Sequence, residues 1–178
     1  MLIVALAATA APAADANSYW TDAAGGDWND NANWDTASYP DNGNGGVATY
    51  AAFIDLVSGS PYSVTLNTNI TIEAFTLDSS AATLNHTGGT FTVTDTADLL
   101  AGTYSLAGGT INGSGAWTVG DGVHATSMDW SGGTMTGRDV DGLVGGHDDR
   151  LGQDDDRLGR GADDLGHQLE VPRPRPGQ

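Results

Sequence analysis

Apolar and polar residues alternate in short bursts through the middle of the chain. Tyr62-Ser63-Val64-Thr65-Leu66, Ile70-Thr71-Ile72, Phe91-Thr92-Val93, Tyr104-Ser105-Leu106, Trp117-Thr118-Val119 and Met128-Asp129-Trp130 all read this way. A period of two sends successive side chains to opposite faces of an extended strand. The pattern therefore predicts strands with Val64, Leu66, Ile70, Ile72, Phe91, Val93, Leu106, Ile111, Trp117, Val119 and Trp130 on one face. Thr falls mostly on the other. The connections, such as Asn112-Gly113-Ser114-Gly115 and Gly120-Asp121-Gly122, are built from turn residues. No stretch of about 11 residues beyond the N-terminal segment carries a helical period.

The strands also repeat. Gly88-Gly89-Thr90-Phe91, Gly108-Gly109-Thr110-Ile111 and Gly132-Gly133-Thr134-Met135 begin 20 and 24 residues apart. Self-similarity at such a period marks stacked architectures, in which each repeat buries its apolar side against its neighbours. Residues 47–137 supply about four rungs at that spacing. The expected fold is all-β, a β-solenoid with apolar residues inside and hydroxyls outside. Its last rung is expected to leave unpaired backbone groups, an edge open to self-association.

Two segments flank the repeats. Residues 1–14 (MLIVALAATAAPAA) form an apolar run ending in small residues, with Ala11-Pro12-Ala13 resembling a cleavage site. This reads as a signal peptide for export, although the usual basic start is missing. The run is shorter than the roughly 20 apolar residues that span a bilayer, so membrane insertion is not expected. Residues 15–46 then place Trp20, Trp28 and Trp34 among Asn, Asp and Gly, ahead of the turn Pro40-Asp41-Asn42-Gly43.

Composition changes abruptly at residue 137. All six basic residues (Arg138, Arg150, Arg157, Arg160, Arg173 and Arg175) lie beyond it, and every Thr, Ser, Asn, Trp, Tyr and Phe lies before it. A segment without aromatic residues buries too little apolar area to offset its ordering entropy, so residues 138–178 are expected to be a disordered tail. A second reading makes the tail a frameshift. With GC-rich codons, reading one base later turns Val144-Gly145-Gly146-His147 into Ser-Gly-Gly-Thr, matching Ser131-Gly132-Gly133-Thr134. The nucleotide sequence downstream of codon 137 decides between the two.

Net charge and residue types narrow the function. The formal charge is −17 with no cysteine. Such acidity argues against nucleic-acid partners, which require Lys and Arg, and against anionic membrane surfaces. Without cysteine there is neither a disulfide framework nor a thiolate metal site.

The Trp-rich leader followed by Gly-Thr rungs resembles secreted bacterial β-helical surface proteins, including autotransporter-type passengers and large extracellular β-solenoid proteins. The likeness rests on Trp20, Gly26, Trp28, Asn33, Trp34 and Pro40, then on Asp129-Trp130-Ser131-Gly132-Gly133-Thr134-Met135-Thr136-Gly137. It covers about residues 17–137. The resemblance implies a right-handed parallel β-helix, export, and a structural or adhesive role. The chain shows neither a C-terminal membrane barrel nor a sorting signal.

Little in the sequence points to catalysis. Trp20, Trp28 and Trp34 have two readings, a sugar-stacking platform or a cap over the first rung. Asp27, Asn29 and Asn31 match the spacing of a calcium loop, but Ala32 and Ser38 stand where the loop needs Gly and Glu. His86 and His124 read as isolated, solvent-facing loop residues. Asp78, Asp95, Asp98, Asp121 and Asp129 could supply a carboxylate pair, yet no spacing selects two of them. Residues 1–137 contain no Lys or Arg to stabilise a developing anion. No catalytic residue, cofactor or metal site is therefore expected. The leading expectation is a non-catalytic, exported structural or adhesive β-solenoid fragment located at the cell surface or secreted. The alternative is a β-helix that binds or cleaves extracellular polysaccharide. Expected partners are polysaccharide, other surface proteins or further copies of the chain.

Overall fold

The structure, a computed structural model, describes residues 13–136 together with 144–145. The readings of residues 1–14 as a signal and of 138–178 as a tail fall outside the described residues, except at Ala13, Ala14, Val144 and Gly145.

All the described strands belong to one parallel sheet wound into a three-walled coil. Eleven strands run in chain order: β1 (Ala16–Tyr19), β2 (Gly26–Asp27), β3 (Tyr50–Ile54), β4 (Tyr62–Leu66), β5 (Ile70–His86), β6 (Thr90–Leu106), β7 (Thr110–Asn112), β8 (Ala116–Val119), β9 (Thr126–Trp130), β10 (Thr134–Met135) and β11 (Val144–Gly145). β5 and β6 are long because each bends through all three walls of the coil. Wall 1 stacks β1, β3, residues 74–77, residues 96–99, β8 and β11. Wall 2 stacks β2, β4, residues 82–86, residues 103–106 and β9. Wall 3 stacks residues 70–72, residues 90–93, β7 and β10. The chain thus makes four complete rungs, 50–72, 74–93, 96–112 and 116–135, above a leader coil. This is the β-solenoid that the alternation and the Gly-Gly-Thr repeat predict.

Register lines the apolar residues into columns. Val64, Leu84, Tyr104 and Met128 stack on wall 2, and Ile70, Phe91, Ile111 and Met135 on wall 3. On wall 1, Ala52, Phe75, Ala97 and Trp117 alternate small with large. That alternation lets Phe75 and Phe91 meet edge to face at 5.4 Å in the shared interior. Each fully buried aliphatic or aromatic side chain contributes about 1.5–3 kcal/mol relative to exposure. Trp130 continues the column of Leu106 but is 44% exposed, and Val119 is only half-buried, because they lie at the upper end of the described coil.

The Gly-Gly-Thr repeat marks the corner between walls 2 and 3. Gly89, Gly109 and Gly133 all have positive φ, and a methyl on Gly109 would lie 2.5 Å from the Gly89 carbonyl oxygen. The same glycine bonds rung to rung: the amides of Thr110 and Thr134 donate to the Gly89 and Gly109 carbonyls. The repeat therefore encodes close stacking of backbones, with the strand beginning at its Thr.

The connection from wall 1 to wall 2 is longer in rung 4 than in rung 3 by the four residues that separate the 20- and 24-residue offsets. The register holds Leu99 opposite Val119 before the insertion and Gly102 opposite Thr126 after it. The extra length is confined to residues 120–125, a protruding loop between walls 1 and 2, so both neighbouring walls stay in step.

The leader does more than precede the rungs. β1 and β2 extend walls 1 and 2 by one coil, and two short 3-10 turns, Asn31–Asn33 and Asn44–Gly46, fold the rest across the end. Its exposed strand edge is occupied: Asp35 Oδ1 accepts from the Tyr19 amide at 2.7 Å, and Trp20 bridges Trp34 in antiparallel fashion. Blocking an edge in this way prevents strand addition at the lower end.

Candidate functional site

The three leader tryptophans converge inside the molecule. Trp20, Trp28 and Trp34 are 1%, 0% and 4% exposed. Trp34 meets Trp20 edge to face at 5.2 Å and Trp28 at 4.8 Å, and Trp28 reaches Phe91 at 5.5 Å. Each indole N–H donates to a backbone carbonyl: Trp20 to Asp22, Trp28 to Pro40 and Trp34 to Trp28. The rings plug the lower end of the apolar interior and present no free face to a sugar ring.

The leader carboxylates and amides serve the same closure. Asp22, Asp30 and Asp41 accept from the amides of Ala24, Ala32 and Thr71. Asn31 Oδ1 accepts from the Tyr39 amide at 2.9 Å, so the fifth position of the calcium-like spacing is engaged by the backbone. Among the described residues no group of three or more His, Cys, Asp or Glu side chains is arranged to hold a metal ion.

His86 contradicts the expectation of a solvent-facing loop residue. It stands in the inward column between Leu66 and Leu106 and is 0% exposed. Its Nδ1 lies 2.9 Å from the buried Tyr104 hydroxyl, while Nε2 makes no hydrogen bond and faces the corner glycines. Burial lowers its pKa below 6.5, with the backbone of Gly89 and Gly88 opposing the shift. The same burial holds the Tyr104 phenol well above its usual value. The alternation Leu84-Asn85-His86 carried the signal for this placement, since His86 sits two residues after a core leucine.

His124 is exposed, as expected, but it is not isolated. In the loop between walls 1 and 2 its Nδ1 lies 2.7 Å from Asp121 Oδ2. Asp121 also accepts from the amides of Val123 and His124, and these bonds lower its pKa to about 2. The carboxylate in turn raises the pKa of His124, with a smaller contribution from Asp78. Of the five candidate carboxylates, Asp121 bonds His124 directly and Asp78 acts on the same imidazole through its charge alone. Asp98 projects from wall 1 and Asp129 from wall 2.

The most ordered surface features are the outward positions of walls 2 and 3. Wall 2 carries Ser63, Thr83, Thr103 and Ser127 in one file and Thr65, Asn85, Ser105 and Asp129 in the other. Wall 3 carries Asn69, Thr90, Thr110 and Thr134 beside Thr71, Thr92, Asn112 and Thr136. Compared with protein families, curated proteins and solved structures, the chain matches none.

Proposed function

We propose that the chain is a non-catalytic, exported β-solenoid fragment with a structural or adhesive role at a bacterial cell surface, related in kind to autotransporter-type passengers. One observation carries the reading: a single buried apolar column holds continuous outer walls lined with hydroxyl and amide groups. Such an object supplies a stiff contact surface made mostly of uncharged polar groups, and multivalent weak bonds along it suit adhesion. Trp130, exposed on the last described strand of wall 2, adds a means of self-association. Fractionation of the producing cells tests the location: recovery on the outer surface or in the medium is expected, and retention in the cytoplasm overturns the reading.

A second reading, a polysaccharide-binding or polysaccharide-cleaving β-helix, draws support from wall 2. Its polar groups repeat in step with the rungs, as a polymer of repeating hydroxyls requires. Retention on insoluble polysaccharide that is lost on Asn85→Arg favours this reading. Release of oligosaccharides from plant or algal polymers overturns the non-catalytic assignment.

A further inference from the structure

Wall 3 differs from the other two in charge, since Asp98 projects from wall 1 and Asp129 from wall 2. Its strands hold register without interruption from Ile70 opposite Phe91 to Thr134 opposite Thr110, and the register shifts of β5 against β6 all fall beyond Ile72. Its outward pairs from rung to rung are Asn69 and Thr71, Thr90 and Thr92, Thr110 and Asn112, Thr134 and Thr136. Every one is a β-branched hydroxyl or a short amide, and none is charged, although the chain carries −17 overall. Behind them Ile70, Phe91 and Ile111 are 0–1% exposed, so the file positions are backed by packed core.

The dimensions of this array follow from strand geometry. Adjacent rungs stand about 4.8 Å apart, and alternate residues along a strand about 6.7 Å apart. The oxygen rows of the prism plane of hexagonal ice repeat at two intervals of comparable size, the shorter close to the rung spacing and the longer somewhat wider than the spacing along a strand. Each Thr adds a hydroxyl that anchors one water and a methyl group around which neighbouring waters order. An uncharged lattice suits a water crystal, whereas ions at the surface would hold their own hydration shells in a different arrangement. The Thr110 and Thr134 hydroxyls bond each other at 2.9 Å and Asn112 accepts from the Thr136 hydroxyl, so Thr71, Thr90 and Thr92 of the two lower rungs present the most open part of the array.

We propose that wall 3 is an ice-binding face. This goes beyond the adhesive reading and does not rest on it, because it requires neither export nor a polymer ligand. The test is microscopy of single ice crystals in a solution of the full chain, with thermal hysteresis measured alongside. Faceted crystals and a gap between melting and freezing temperatures are expected. Thr92→Lys and Thr71→Lys, each shown by circular dichroism to keep the β fold, should lose both effects. Thr76→Lys, on wall 1, should retain them. Round, freely growing crystals with the unaltered chain overturn the proposal, as does activity that survives both wall 3 substitutions. Retention on insoluble polysaccharide without ice shaping also overturns it and assigns the wall to sugars.

Discussion

A histidine in an apolar column makes stability depend on pH. Burial lowers the pKa of His86 below the 6.5 it has when exposed, so the unfolded chain binds its proton more readily than the folded one. Its neutral form therefore stabilises the fold fully above 6.5, and that contribution is lost as pH falls through the window beneath. The melting temperature is expected to drop between neutral and mildly acidic buffer. His86→Leu alone strands the buried Tyr104 hydroxyl, at about 1–3 kcal/mol. The double variant His86→Leu/Tyr104→Phe removes both polar groups and should flatten this part of the acid dependence. A melting profile against pH identical to that of the unaltered chain would place the titration elsewhere. Glycines separate just as sharply. Gly122 has φ +75° with nothing within 4 Å of an added methyl, so Gly122→Ala should cost only the left-handed strain of about 1–2 kcal/mol. Gly109 has φ +76°, but its methyl would meet the Gly89 oxygen at 2.5 Å and His86 Nε2 at 2.6 Å. Gly109→Ala is expected to be the more damaging by several-fold in chemical denaturation.

Elements respond according to whether they close the core or merely connect walls. The leader plug closes it, and Trp28 touches Trp34, Phe75 and Phe91 at once. Trp28→Ala should cost about 3–5 kcal/mol, seen as a lower denaturation midpoint and early loss of the near-ultraviolet signal. A loss of sugar binding in that variant would thus report unfolding and not a lost contact. The loop at residues 120–125 is a connector. Deleting residues 121–124 leaves Gly120 and Ala125 between Val119 and Thr126, the same two-residue link that joins Leu99 to Gly102. The shortened chain is expected to melt within a few degrees of the original. Failure to fold would mean that the Asp121–His124 pair holds rung 4 in place.

At the scale of the whole molecule, the two ends differ. The lower end is sealed by indoles and an occupied strand edge, whereas at the upper end of the described coil Trp130 remains partly in solvent on β9. Stacking order therefore has a direction, and growth by strand addition is blocked from below. Association through β9 should appear as a concentration-dependent mass in light scattering that Trp130→Ser reduces. A constant monomer mass at all concentrations would exclude that route.

The alternation of apolar residues and the Gly-Gly-Thr spacing by themselves determined the fold class, the rung length and most of the core. They could do so because a two-residue period and a 20-residue period act locally and repeat. Only the tertiary structure decided where exceptions went. It turned His86 inward, because the column is set by register with Leu66 and Leu106 and not by the polarity of one ring. It made Gly109 a backbone contact between rungs, a demand that exists only once a second coil lies beneath the first. It drew Trp20, Trp28 and Trp34 into the end of the interior, since an open apolar column offers large rings more buried area than any external face. The outward files of wall 3 likewise gain their lattice only when separate rungs are brought into step, which no single stretch of sequence can specify.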